Sequence, residues 1–195
     1  MKYYWLAPKD QRNYNWLFYE ESNETGIKLR SQYTHLLCWK CRKLDELAAV
    51  AIGLDRGVKI RSKSDYLMTD DGLICVSARG QQILAQSNIV GLTYGPVSDD
   101  GRYAIALPTC QIPVDMNSVG MEFHRQCPEC GRFRETCFFP TLASLKLDSN
   151  PLAVEFPNIA FEGTRGRKFF YLVSKDVVDL LRAAKFSGVE LLPAA

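Results

Sequence analysis

Two cysteine pairs carry the most specific chemical signal in this chain. Cys38-Trp39-Lys40-Cys41 and Cys127-Pro128-Glu129-Cys130-Gly131 each hold two thiols separated by two residues. That spacing folds a turn with both sulfurs facing one point. Two such turns can present four thiolates at the corners of a tetrahedron, the geometry of a structural zinc site. A glycine after the second cysteine permits positive φ and lets backbone N–H groups approach the sulfur. Gly131 fills that position in the second pair, whereas Arg42 stands there in the first. The expected ligands are therefore Cys38, Cys41, Cys127 and Cys130 around a structural Zn2+. A shell of four thiolates leaves no position open for a substrate. The competing chemistry, thiol–disulfide exchange, needs only one pair at a helix N-terminus after a strand, so two pairs favour metal.

The surroundings fit a charged centre. Four thiolates around Zn2+ carry a formal charge of about −2. Lys40, Arg42, Lys43, Arg125, Arg132 and Arg134 stand close to the cysteines in sequence and would offset it. His35 and His124, the only histidines, each lie three residues before a pair. With the shell already complete, neither is needed as a ligand. Cys75, Cys110 and Cys137 sit among apolar neighbours and read as small core residues. Seven cysteines is an odd number, which in a reducing compartment suits metal binding better than a disulfide framework.

The elements that must bring the pairs together are spread along the chain. Cys41 and Cys127 are separated by 85 residues, so a metal would staple distant segments rather than close a local finger. Tyr3–Leu6 and Tyr14–Tyr19 read as aromatic strands, Leu44–Ile52 as a short helix and Val58–Lys63 as an exposed strand. Gly120–Gln126 and Arg132–Phe139 read as strands entering and leaving the second pair. An internal repeat is visible at an offset of 97 residues, where Ile74-Cys75-Val76-Ser77 aligns with Tyr171-Leu172-Val173-Ser174. In each copy a buried strand (Leu73–Val76; Phe169–Val173) ends at a serine able to cap a helix. The helices follow (Ala78–Gln86; Lys175–Ala184), then a glycine, Gly91 or Gly188, suited to a left-handed turn. A short strand (Leu92–Tyr94; Val189–Leu192) closes each unit. The expected fold is α+β. It has mixed sheets, two similar strand–helix–strand units and a zinc-ribbon-like element joining distant parts of the chain. We expect one compact domain over 1–195, divisible into lobes of about 1–110 and 111–195 stapled by the bipartite zinc site.

Composition sets the remaining bounds. Of 195 residues 47% are hydrophobic and 24% charged, the mixture of a folded globular chain rather than a disordered one. A net charge of +2 gives no strong pull toward nucleic acid or an anionic membrane. No apolar run approaches the ~20 residues of a membrane span. The opening apolar run breaks at Pro8, unlike a signal peptide, so a cytosolic location is expected. No phosphate-binding loop, nucleophile elbow or H-E-x-x-H motif is present. Gly163–Lys168 reads as a solvated hairpin turn, and Arg56, Lys59, Arg61 and Lys63 as a solvated strand face. No catalytic set is expected, and the chain reads as a non-enzyme.

These features together resemble the double-CXXCG motif, SitI-type toxin-immunity proteins of myxobacteria and other proteobacteria. The resemblance covers most of the chain. It rests on the aromatic strand Tyr3-Tyr4-Trp5, on both cysteine pairs, and on the ending from Tyr171-Leu172-Val173-Ser174 through Leu180-Leu181 to Gly188-Val189-Glu190. The second motif matches the family pattern fully, and the first departs from it at Arg42. The resemblance implies a cytoplasmic antitoxin in interbacterial competition, which neutralises a cognate toxin protein by forming a stoichiometric complex. The residues themselves leave two other classes open, a zinc-ribbon nucleic-acid-binding protein and a thiol oxidoreductase.

Overall fold

The computed structural model describes residues 3–9, 17–22, 26–53, 60–86, 92–97, 100–108, 122–137, 154–156 and 168–194. The strands are β1 (Tyr3–Pro8), β2 (Tyr19–Ser22), β3 (Gly26–Leu29), β4 (Tyr66–Met68), β5 (Ile74–Ser77), β6 (Leu92–Pro96), β7 (Tyr103–Pro108), β8 (Glu122–Gln126), β9 (Phe133–Cys137), β10 (Val154–Phe156), β11 (Lys168–Ser174) and β12 (Val189–Pro193). The helices are α1 (Glu46–Ile52), α2 (Ala78–Gln86) and α3 (Lys175–Ala183), with a 3-10 helix at Ser31–Leu36. Among the described residues these strands form two four-stranded sheets, β10-β11-β1-β12 and β4-β5-β7-β6, and two hairpins, β2-β3 and β8-β9. The class is α+β, and neighbouring strands pair antiparallel throughout.

The two larger sheets are built on one plan. The helices and closing strands of the two units coincide residue for residue at the 97-residue offset. In each unit the serine before the helix caps it. Ser77 Oγ accepts the Gly80 N–H at 2.9 Å, and Ser174 Oγ accepts the Val177 N–H at 3.5 Å. A fourth segment then runs between the two strands of each unit and pairs antiparallel with both. In the first sheet it is β7, with Ser77 opposite Tyr103 and Pro96 opposite Ala104. In the second it is β1, with Ser174 opposite Tyr3 and Pro193 opposite Tyr4. Tyr103–Pro108 and Tyr3–Pro8 thus occupy the same register and the same length. The first unit takes its central strand from the chain that follows it, and the second takes it from the N-terminus.

Side-chain alternation decides what each face buries. In β5, Ile74 and Val76 join a core shared with Leu6, Tyr171, Val173, Val178 and Leu181 of the other sheet and α3. Leu73 and Cys75, one residue out of phase, join a second core with Leu17, Phe18, Tyr33, Leu44, Ala49 and Val50. The first sheet is therefore covered on both faces. Two buried tyrosines lock the shared core by donating to the other sheet's central strand. Tyr66 donates to the Leu6 carbonyl at 3.2 Å and Tyr171 to the Ala106 carbonyl at 2.9 Å. Leu6 and Ala106 hold the same register position in β1 and β7, so the chain meets the demand that a buried hydroxyl be bonded in the same way twice.

Asp65 joins the two units. Its carboxylate accepts the Ser187 N–H, the Ser187 hydroxyl and the Ser77 hydroxyl, each at 2.9 Å, and pairs with Arg79. Burial works against the charge, but Ser187, Arg79 and Ser77 outweigh it and hold the carboxyl below its ordinary range.

Asp71 tethers the segment that enters β2. Its Oδ2 accepts the N–H groups of Leu17 and Phe18. Burial pushes this carboxyl up to about 7 against those donors, from an ordinary 3.8. The folded state thus holds a proton that the unfolded chain releases between about pH 4 and 7. The associated stability is complete below pH 4 and is lost as pH rises through about 7. Asp71→Asn should flatten that slope, by an amount on the order of 1–3 kcal/mol across the window. Urea titrations at pH 4.5 and 7.5 measure it, and an unchanged slope in the variant would contradict the assignment.

Several local expectations shift. The first helix begins at Glu46, because Asp45 caps it by accepting the Ala48 N–H. Residues 60–63 are irregular rather than an exposed strand, and Ile60 is buried in the second core. Residues 14–16, 58 and 59 of the two expected strands, Gly91, and 163–167 of the basic loop lie outside the described residues.

Candidate metal centre

The two cysteine pairs form matching turns. In the first, the Cys38 N–H donates to the Lys43 carbonyl at 2.9 Å and the Arg42 N–H to the Cys38 carbonyl at 2.8 Å. In the second, the Cys127 N–H donates to the Arg132 carbonyl and the Gly131 N–H to the Cys127 carbonyl, both at 2.8 Å. Each turn closes through a residue with positive φ, Arg42 at 60° and Gly131 at 68°. A bridge between Leu37 and Leu44 flanks the first turn, and strands β8 and β9 flank the second.

These turns bring all four sulfurs together. The Sγ atoms of Cys38, Cys41, Cys127 and Cys130 lie within 4.8 Å of one another. Across the two turns, Cys38 Sγ lies 3.8 Å from Cys127 Sγ and Cys41 Sγ 3.6 Å from Cys130 Sγ. A regular tetrahedron with metal–sulfur bonds of about 2.3 Å has edges of about 3.8 Å. The cluster can therefore hold a metal ion, and its soft thiolate donors suit zinc or iron rather than calcium or magnesium.

A reciprocal pair of cations clamps the turns. Lys43 and Arg132 each stand two residues after the second cysteine of their own turn. Lys43 Nζ donates to the Phe133 carbonyl at 2.5 Å, and Arg132 donates to the carbonyl of Leu44, the residue equivalent to Phe133. Arg132 also reaches the Lys43 carbonyl at 3.3 Å and the buried Glu46 carboxylate at 3.7 Å. Of the six cations near the cysteines, Lys43 and Arg132 are buried, while Lys40, Arg42 and Arg125 are exposed. The side chain of Arg134 is outside the described residues. The clamp was signalled in the sequence by the pattern C-x-x-C-x-(K/R), present in both turns.

Arg132 also bears on the charge of the neighbouring thiol. Burial opposes ionisation at Cys130, but the Arg132 backbone N–H and guanidinium donate to its sulfur and hold it at about 6. Burial pushes Cys41 up to about 12. Burial lowers Lys43 to about 8, partly countered by the neighbouring thiol of Cys41. A divalent ion would displace the proton held on Cys41.

His35 and His124 are exposed and stand outside the ligand group. Cys75 is fully buried in the second core, and burial pushes its thiol far up. Cys110 and the side chain of Cys137 lie outside the described residues. Arg42 closes its turn with positive φ without being glycine, and Arg125, two residues before Cys127, also has positive φ at 56°. A non-glycine residue in the left-handed region costs about 1 kcal/mol or slightly more. Arg42→Gly should therefore raise the thermal midpoint by about 1–2 °C with metal content unchanged, because the greater unfolded-state freedom of glycine offsets part of the gain. A loss of several degrees or of the metal would show that the Arg42 side chain supports the turn.

No family model matches the chain, and no curated protein matches it either.

Proposed function

We propose that the centre binds Zn2+ as a structural ion, and that the chain is a non-enzymatic immunity protein of the double-CXXCG, SitI type. In this reading it neutralises a cognate toxin by stoichiometric occlusion in the cytoplasm. The observation that carries the first part is the convergence of four thiols at tetrahedral spacing, which fills the shell of a zinc ion and leaves no site for substrate. The second part rests on the sequence resemblance. A rigid scaffold, with two sheets locked across a shared core and a metal holding the two cysteine turns together, suits an inhibitor whose binding face must be ordered beforehand. No helix among the described residues is long and apolar enough to cross a membrane.

Co-expression with a toxin candidate from a neighbouring gene tests the reading. Occlusion predicts growth rescue only near equimolar antidote, with a complex stable on gel filtration. Rescue at strongly substoichiometric antidote without a complex would point to an enzyme instead. A zinc-ribbon nucleic-acid-binding protein is the second reading, favoured by the exposed Trp39, Lys40 and Arg42 beside the centre. It predicts oligonucleotide binding that weakens steeply with salt.

A further inference from the structure

Among the described residues, Trp39 is the most exposed of the large apolar side chains, at 69%. It stands between two candidate ligands, Cys38 and Cys41, on a turn pinned by two backbone hydrogen bonds. With metal bound at both flanking sulfurs, the backbone that carries Trp39 has little freedom left to lose. A large aromatic side chain held this way binds a partner at low entropic cost, which is the condition that makes Trp a dominant interface anchor. Trp39 makes no contribution to the metal cluster, and its ring contact is with its neighbour: Lys40 Nζ lies 5.7 Å from the ring centroid. That placement leaves a cation beside an open aromatic face.

The charge around it is one-sided. Among the described side chains of the two turns and of residues 124–126 before the second, the exposed charges are Lys40, Arg42 and Arg125 against Glu129. A partner fitting this surface offers a pocket for an indole rimmed by carboxylates. Nucleic acid fits less well, because Glu129 on the second turn opposes phosphate and the whole chain carries only +2.

We propose that the metal-pinned first turn is the centre of the docking face, with Trp39 as its anchor and an acidic, pocketed surface of the toxin as its occupant. This rests on the reading of the chain as a toxin-binding antidote. The test uses the intact zinc-loaded protein and an inactivated toxin candidate from a neighbouring gene. Affinities are measured for wild type, Trp39→Ala, Lys40→Glu and Ile27→Ala. Ile27, half-exposed on β3, serves as the control.

Trp39→Ala should weaken binding by about 30-fold or more, the threshold of a dominant anchor residue. Lys40→Glu should slow association and reduce its salt dependence. Ile27→Ala should stay within about twofold of wild type. Metal content and melting temperature must match wild type in each variant, which the exposure of these side chains favours. Wild-type affinity in Trp39→Ala overturns the docking face while leaving the antidote reading intact. An equal loss in Ile27→Ala also overturns it, because no anchor is then centred on Trp39. Absence of any wild-type complex overturns both readings. Salt-dependent binding of a single-stranded 20-mer that disappears in Trp39→Ala would assign the surface to nucleic acid and overturn the protein-docking proposal.

Discussion

Replacing Cys127 by Ser should remove the bound metal and cost at least about 4 kcal/mol of stability. The four sulfurs converge from turns 89 residues apart, so a metal held by them would close a long loop. Its binding free energy is unavailable to the unfolded chain and therefore adds to folding. Cys127 is the buried member of the ligand set, and its sulfur lies 3.8 Å from Cys38. A serine hydroxyl there leaves three thiols and one weak donor. Stability measured with and without chelator gives the decisive pattern: chelation should destabilise the wild type toward the level of Cys127→Ser and leave the variant unchanged. Metal analysis should fall from about one ion per chain to near zero. Full metal content in Cys127→Ser would sink the four-thiol site.

The damage should also be local at first. The hairpin β8–β9 is tied to the first turn by the sulfurs, by Lys43 and by Arg132. The shared core of the two larger sheets contains none of these residues. Hydrogen exchange in the chelated protein should therefore show protection lost in β8, β9 and around Leu44 before β5, β7, β1 or β11. Uniform loss along the chain would mean that the metal supports the whole fold and not one staple.

Gly188→Ala should be the most damaging single-methyl addition among the described glycines. Gly188 has φ +83°, and a Cβ there would lie 2.1 Å from the Tyr66 carbonyl and 2.6 Å from Ser64 Cβ. Backbone on one side cannot move without breaking the Tyr66 N–H bond to the Ser187 carbonyl, made at 3.1 Å, or the ties between Ser187 and Asp65. Strain and overpacking together should cost about 3–5 kcal/mol. Gly101 gives the matched control. It has φ +64° with nothing within 4 Å of the added methyl, so Gly101→Ala carries only the conformational cost of about 1–2 kcal/mol. Equal denaturation midpoints for the two variants would show that the junction at Gly188 yields more easily than its packing implies.

The ligand set was legible in the sequence because it depends on local spacing. Two residues between cysteines fix the direction of both sulfurs within one turn, and Cys127-Pro128-Glu129-Cys130-Gly131 carries the glycine that closes it. The strand–helix–strand units were legible for a related reason. A serine cap, a helical run and a turn glycine are each set by near neighbours, so Ser77 and Ser174 mark the same boundary in both copies.

What the sequence did not determine is which distant segments complete these units. Tyr3–Pro8 and Tyr103–Pro108 share only their first and last residue types, yet they fill the same slot in the two sheets. A central strand is chosen by hydrogen bonds and packing on both of its sides, and neither partner is near it in sequence for β1. The burial of Ile60 has the same origin: alternation with Lys59 and Arg61 reads as a solvated strand, whereas packing against the second core decides its side chain's place. The roles of Lys43 and Arg132 also belong to the tertiary structure. Six cations lie near the cysteines in sequence, and only the approach of the two turns selects the pair that is buried, because a charge can leave water only where carbonyls, a carboxylate and thiols stand ready to receive it.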